Sequence, residues 1–77
     1  MITFEVKPYD ALDVTVVYEA LGHRRAATRS YALLYVPSDK RDSVQAELDT
    51  ICAEAKRLGV GVIVAEDPRR YDTWEEL

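Results

Sequence analysis

The sequence has few of the residues on which several common kinds of site depend. Its 77 residues include one cysteine, one histidine and three glycines. Cys52, as a lone cysteine, cannot form an internal disulfide, which fits a reducing cytoplasm. One cysteine and one histidine give no zinc-ligand spacing. Gly22, Gly59 and Gly61 form no glycine-rich phosphate loop, and no nucleophile elbow is present.

Long apolar runs are also absent. No segment approaches the roughly 18 consecutive apolar residues that a membrane helix needs. The first residues, 1–7, contain no basic stretch followed by an apolar one, which is the pattern of a signal peptide. The sequence therefore predicts a cytoplasmic chain that does not enter a membrane.

The length and charge of the chain limit what it does alone. A chain of 77 residues predicts one domain over residues 1–77. A domain of this size buries only roughly 60–65% of its unfolded surface, so a partner is expected, either a second copy or the rest of a longer protein. The net charge of −4 argues against binding nucleic acid by charge alone.

The first third of the chain predicts a strand and a helix. Ile2, Phe4 and Val6 alternate with polar residues, which is typical of a strand, and Pro8 ends it. Residues 13–27 have β-branched residues that favour a strand and apolar spacing that favours a helix. We interpret them as a helix, with Asp10 or Asp13 as its cap.

The remainder predicts two buried strands around a second helix. Residues 31–36 and 60–65 are continuous apolar runs of strand length. Residues 44–58 carry an apolar stripe at helical spacing, with Asp42 and Gln45 resembling a capping box and Gly59 as the stop. The expected fold is α/β, a β-α-β-α-β order with a mainly parallel three-stranded sheet in two or three layers. The tail, 69–77, is expected to be a short helix around Trp74 or a docking segment.

The pair Glu5 and Lys7 is the first candidate for chemistry. Period two places both side chains on one side of the strand, about 7 Å apart. They lie at its C-terminal end, where open α/β sheets bind ligands. A carboxylate there suits Mg²⁺, and a lysine beside it suits a metal-bound water or a phosphate. The alternative is a solvated salt-bridge pair, which is the commoner role of Glu-x-Lys.

A second candidate lies on the helix that follows. Glu19 and His23 are four residues apart and share a helix face that can reach the end of the Glu5/Lys7 strand. Arg24, Arg25 and Arg29 come next and suit phosphate contacts, which predicts nucleic-acid binding. The alternatives are a solvated Glu19–His23 pair and arginines that serve solubility.

This order of motifs resembles the PD-(D/E)xK, or restriction-endonuclease-like, nuclease superfamily. Glu5 matches the metal-binding acid of the (D/E)xK motif, which ends a central strand, and Lys7 matches its catalytic lysine. Glu19 and His23 occupy the Gln and Tyr positions of a Gln-x-x-x-Tyr motif as substitutions. The resemblance implies a Mg²⁺-dependent enzyme that hydrolyses phosphodiester bonds in DNA, of which the chain resembles the later half, a partial core.

The family's other metal-binding acid precedes the (D/E)xK strand, and the chain starts four residues before Glu5. Three explanations stay open: a fragment of a longer nuclease, a partner chain that supplies the missing half, or a relative that keeps the fold without cleavage. The last explanation makes a non-catalytic homodimerising assembly domain the alternative function. A third hypothesis is a regulatory domain that binds an anion near the three arginines.

Overall fold

The computed structural model describes residues 2–22, 29–67 and 69–77. These residues form six regular elements connected by turns and short 3₁₀ segments. In chain order they are β1 (Ile2–Pro8), α1 (Thr15–Gly22), β2 (Arg29–Tyr35), α2 (Gln45–Leu58), β3 (Gly61–Ala65) and β4 (Trp74–Glu76). Neither helix in the described ranges is long and apolar enough to span a membrane.

The four strands form one mixed sheet in the order β1-β2-β3-β4. β1 and β3 each pair parallel with β2, and β4 pairs antiparallel with β3. The α/β class is confirmed, while the expected three-stranded sheet is corrected to four strands. The tail, residues 69–77, folds back onto the sheet. The Thr73 hydroxyl accepts the Asp67 backbone N–H at 3.2 Å, and this hydrogen bond closes the turn before β4. Trp74 then pairs with Ala65, so the tail docks on the sheet, which was one of the two alternatives, and the other alternative, a helix around Trp74, was wrong.

The ends of the helices follow the sequence signals in part. The Asp13 carboxylate accepts the Thr15 backbone N–H at 2.9 Å, so Asp13 caps α1 as predicted. Residues 23–28, which the sequence assigned partly to this helix, lie outside the described residues. Gly59 ends α2 with a φ of 76°, as its glycine predicts. The expected capping box did not form, because Asp42 begins a 3₁₀ turn and the Gln45 amide donates to Asp49 instead.

Both helices pack on one face of the sheet, which makes a two-layer arrangement of the described residues. Alternate strand residues point to this helix-covered face, and they meet the apolar stripes of both helices. Together they form the main apolar cluster, against which Cys52 is partly buried. The buried members of this cluster are Val16, Val17, Ala20, Ala32, Leu34, Val36, Leu48, Ile51, Ala55, Val60, Val62 and Val64.

The opposite side of the sheet carries a second, smaller apolar cluster. It consists of Leu33, Ile63 and Ala65, with Tyr31 and Trp74 packed against them, and neither described helix contributes to it. We call this side the open face. The strand pairing assigns to it Ile2, Phe4, Val6, Arg29, Tyr31, Leu33, Tyr35, Gly61, Ile63, Ala65, Trp74 and Glu76.

Candidate functional site

Glu5 and Lys7 lie on the same side of β1, as their spacing predicts. Glu5 pairs with Ala32 and Lys7 with Leu34 in β2, and both of these partners belong to the helix-covered core. Glu5 and Lys7 are half-buried, whereas the intervening Val6 is exposed on the open face. The two side chains therefore point toward the helix layer near the C-terminal end of β1.

α1 brings a second carboxylate to Lys7. The Lys7 Nζ lies 3.3 Å from a Glu19 carboxylate oxygen, and the two side chains are 29% and 42% exposed. This contact forms because the short connection after β1 places α1 against the sheet. Glu19 on α1 therefore reaches the C-terminal end of β1. The expectation that this helix lies over the strand's end is confirmed for Glu19.

The basic residues predicted to contact DNA are only partly within the described chain. His23, Arg24 and Arg25 lie outside the described residues. Arg29 begins β2, pairs with Ile2 at the opposite end of β1 from Lys7, and is exposed on the open face. Its guanidinium donates to the Tyr31 hydroxyl at 3.1 Å. The structure therefore does not bring Arg29 to Lys7.

The position of β1 in the sheet differs from the family pattern. The resemblance implies a central strand for Glu5 and Lys7, yet β1 lies at the edge of the sheet that the described residues form. Its outer backbone groups therefore pair with no described strand. An edge strand of seven residues is a ready site for pairing with another strand.

The described residues fit a magnesium ion only in part. Glu5 and Glu19 supply hard oxygen donors, and Mg²⁺ is commonly held by one or two carboxylates together with waters and substrate phosphates. Within residues 2–22, 29–67 and 69–77, however, no group of three or more Asp, Glu, His or Cys side chains is arranged to hold a metal ion. The remaining ligands would have to come from water, substrate or another polypeptide.

Sequence reasoning missed a polar cleft at the carboxyl ends of β2 and β3. Its volume is about 410 Å³. Arg41 crosses it to within 3.5 Å of the Glu75 carboxylate, while its Nε is buried without a partner among the described residues. The signal was that polar residues, Ser38 and Glu66, come soon after the ends of two adjacent parallel strands. The lining residues are Val36, Ser38, Arg41, Asp42, Val64, Glu66, Thr73 and Glu75.

A polar contact also joins the two helices. The Tyr18 hydroxyl donates to Glu54 at 2.8 Å, and Arg57 forms an ion pair with the same carboxylate. The hydrogen bond from Arg57, followed by that from Tyr18, lowers the pKa of Glu54 below its usual range. The hydrogen bond to Glu54 raises the pKa of Tyr18. This cluster fastens α1 to α2 on the solvent side of the helix layer.

Four aromatic rings form a continuous row across the open face. The Phe4 ring stacks on Tyr31 at 5.6 Å between centroids and meets the edge of Trp74 at 5.7 Å. Trp74 in turn contacts Tyr71 at 5.0 Å. We call Tyr31, Phe4, Trp74 and Tyr71 the aromatic row.

Comparison with known proteins identifies no relative of the chain. No protein-family model, no curated protein and no solved structure matches the chain.

Proposed function

We propose that the chain is the later half of a metal-dependent nuclease core, which hydrolyses phosphodiester bonds in DNA once a further polypeptide segment completes its site. The observation that carries the proposal is the contact of Lys7 with Glu19 at the carboxyl end of β1. Glu5 lies two residues earlier on the same side of the strand. Lys7 thus contacts one acid, and a second acid lies on the same side of the same strand, which supports a (D/E)xK-type site although β1 is an edge strand.

The chemistry of these groups suits phosphoryl transfer. The Lys7 side chain is 29% exposed, and its ammonium group lies beside the Glu19 carboxylate. Such a charge stabilises the negative charge that develops on a phosphate in the transition state. Glu19 holds the Lys7 side chain toward the helix layer, and Glu5 supplies a carboxylate for Mg²⁺. A bound Mg²⁺ would polarise the phosphate and lower the pKa of an attacking water.

The position of β1 at an edge favours a site that is completed from outside the described residues. The family's second metal-binding acid belongs to a hairpin beside the (D/E)xK strand, and the outer edge of β1 is where such a strand would pair. Arg24 and Arg25 remain proposed contacts for DNA phosphates, whereas Arg29, which was predicted with them, lies on the open face at the other end of the sheet from Lys7. Because the net charge is −4, binding of DNA would depend on this local basic segment.

The test is Mg²⁺-dependent cleavage of supercoiled, linear and single-stranded DNA by the full-length or reassembled protein. Lys7→Ala and Glu5→Gln are each expected to lower the rate by at least about 100-fold, since each removes a charge that acts in the transition state. Glu5→Gln keeps the shape of the side chain and is also expected to weaken Mg²⁺ binding measured by calorimetry.

Lys40→Ala is the matched control, because Lys40 is an exposed lysine in the turn before α2. Its cleavage rate should equal that of the wild type. Circular dichroism must show that all variants are folded. Full activity in the Lys7→Ala variant, or no cleavage by the wild-type protein under any of these conditions, would reject the nuclease proposal.

The second candidate is a non-catalytic homodimerising assembly domain that keeps a nuclease-like fold. The apolar open face, which no described helix covers, favours it. This candidate expects a dimer in sedimentation equilibrium and no heat of Mg²⁺ binding. A monomer that binds Mg²⁺ at micromolar concentration would reject it.

A further inference from the structure

The open face is apolar beyond what single surface residues account for. Ile2, Phe4 and Val6 project from it along β1 and are 54%, 40% and 51% exposed. Together with the aromatic row they form one contiguous patch, and contiguous apolar patches mark interaction sites. All-parallel sheets are almost always covered on both faces; in this mixed sheet, three of whose strands are parallel, the described helices cover only one face.

The centre of this patch is smooth. Gly61 lies in β3 opposite Tyr31, and a Cβ added to Gly61 would lie 2.4 Å from two carbons of the Tyr31 ring. The ring therefore lies across the glycine, where any side chain would displace it. Because β2 and β3 are central strands, the result is a flat aromatic surface in the middle of the open face.

The strand register places two opposite charges symmetrically about this centre. Among the strand residues that the structure describes, Arg29 and Glu76 are the only charged ones assigned to the open face. Arg29 lies one strand from Gly61 and two residues toward one end of the sheet, because Tyr31 pairs with Gly61. Glu76 lies one strand away on the other side and two residues toward the other end, because it pairs with Ile63.

We propose that the open face is the interface of a homodimer, with a two-fold axis in the plane of the face that passes near Gly61. A two-fold axis relates the same patch on both copies, so each contact occurs twice. The axis runs perpendicular to the line from Arg29 to Glu76. Since Gly61 lies midway between the two charges, such an axis brings Arg29 of each copy to the partner's Glu76. The inference rests on the assembly candidate above and adds its surface and symmetry.

The charge of the face favours a second copy over nucleic acid. A surface that binds single strands combines aromatic rings with an excess of positive charge. The open face instead carries one charge of each sign, and its exposed residues on β1 are aliphatic as well as aromatic. This pattern is self-complementary under a two-fold axis.

The size of the face sets the expected affinity. The four strands are three to seven residues long and about 4.8 Å apart, which gives a projected area of roughly 350 Å², against about 800 Å² per partner in a standard interface. The dimer is therefore expected to be weak, with a dissociation constant of about 1–100 µM. Sedimentation equilibrium from about 5 to 500 µM covers that range.

The test uses charge reversal in the full chain. Arg29→Glu and Glu76→Arg each place like charges opposite one another at both ends of the interface, so each is expected to raise the dissociation constant at least about tenfold. An equimolar mixture of the two variants is expected to form a heterodimer, because every reversed charge then faces its opposite. The double variant, R29E/E76R, is expected to dimerise within about threefold of the wild type.

The control pair is Lys40→Glu and Glu47→Arg, two exposed residues outside the open face. These variants should dimerise like the wild type, and mixing them should change nothing. A wild-type dimer that is indifferent to reversal at Arg29 and Glu76 would overturn this inference while keeping the assembly candidate. A wild-type monomer up to 500 µM would overturn both, as would a monomer whose Trp74 fluorescence is quenched by single-stranded oligonucleotides.

Discussion

The two faces of the sheet are built from the same strands and are stabilised in different ways. On the helix-covered face, residues such as Leu34 and Val64 lie beneath two helices whose backbones are fixed by their own hydrogen bonds. On the open face, Leu33 and Ile63 are nearly as inaccessible, with 3% and 8% exposure. Their cover is a layer of side chains, chiefly Tyr31 and Trp74.

This difference separates burial from rigidity. A side chain beneath a helix loses its neighbours only when the helix moves, whereas one beneath an aromatic ring loses them when the ring rotates. The helix-covered face therefore supplies most of the stability of the chain. The open face, which keeps exposed apolar side chains on β1, is the side available to a partner.

The largest expected effect comes from adjacent leucines on the two faces. Leu34→Ala leaves a cavity beneath the helices and is expected to lower the free energy of unfolding by about 3–4 kcal/mol. Leu33→Ala removes the same atoms from the open face, where the aromatic row can settle into the space, and is expected to cost about 1–2 kcal/mol. Urea unfolding followed by circular dichroism at low protein concentration measures both.

Equal losses of unfolding free energy in Leu34→Ala and Leu33→Ala would contradict this difference between the two faces, since they would mean that the aromatic row is as rigid as a helix. A loss of unfolding free energy in Leu33→Ala that grows with protein concentration would make the difference between the two faces larger and more specific. Such growth is expected only if a second copy covers the open face, because dimerisation adds stability by mass action.

A smaller effect is expected from two glycines with opposite surroundings. Gly61→Ala places a methyl group where the Tyr31 ring lies and is expected to destabilise the chain by about 1–3 kcal/mol. Gly22→Ala, in the last turn of α1, meets no atom of the described residues within 4 Å and is expected to stabilise the chain by up to about 1 kcal/mol. Thermal unfolding of both variants against the wild type gives the two signs.

The control for Gly61→Ala is the double variant with Tyr31→Ala, in which the added methyl group has no ring to displace. The cost of Gly61→Ala should then largely disappear. If it persists, the Tyr31 ring does not lie across Gly61 as the structure places it.

Local patterns in the sequence predicted the helices and strands that depend on the spacing of nearby residues. The apolar stripe of α2, with Leu48, Ile51 and Ala55 at helical spacing, predicted a helix that the structure confirms. Period two in β1 predicted that Glu5 and Lys7 share a side, and chain order predicted that α1 lies near them. These features depend on spacing within one element or on the next element along the chain.

The features that the sequence did not predict depend on distant pairing. β4 is only three residues long and exists because Trp74 to Glu76 pair with β3, which no local pattern encodes. The aromatic row joins Phe4 to Trp74, 70 positions apart by their numbers, through the order of strands in the sheet. The cleft around Arg41 and Glu75 likewise required the position of β4.

The smallest expected effect concerns the solvent side of the helix layer, where Glu54 contacts Tyr18 and Arg57. Because these contacts lower the pKa of Glu54 in the folded state, their contribution to stability is present above its unfolded value of about 4.3. The contribution is lost as the pH falls through the folded value. Glu54→Gln is therefore expected to unfold at lower urea than the wild type at pH 6 and to converge with it near pH 3.

The control is Glu47→Gln, which neutralises an exposed carboxylate on the same helix. The urea midpoint of Glu47→Gln is not expected to converge with that of the wild type in this way as the pH falls. The pKa of Asp67 is also lowered, chiefly by the Arg69 backbone N–H, so the wild type has more than one acid-sensitive contact. Comparing two variants that both retain Asp67 isolates Glu54. If the urea midpoints of Glu54→Gln and the wild type differ by the same amount from pH 6 to pH 3, the α1–α2 contact stabilises the chain through packing rather than through charge.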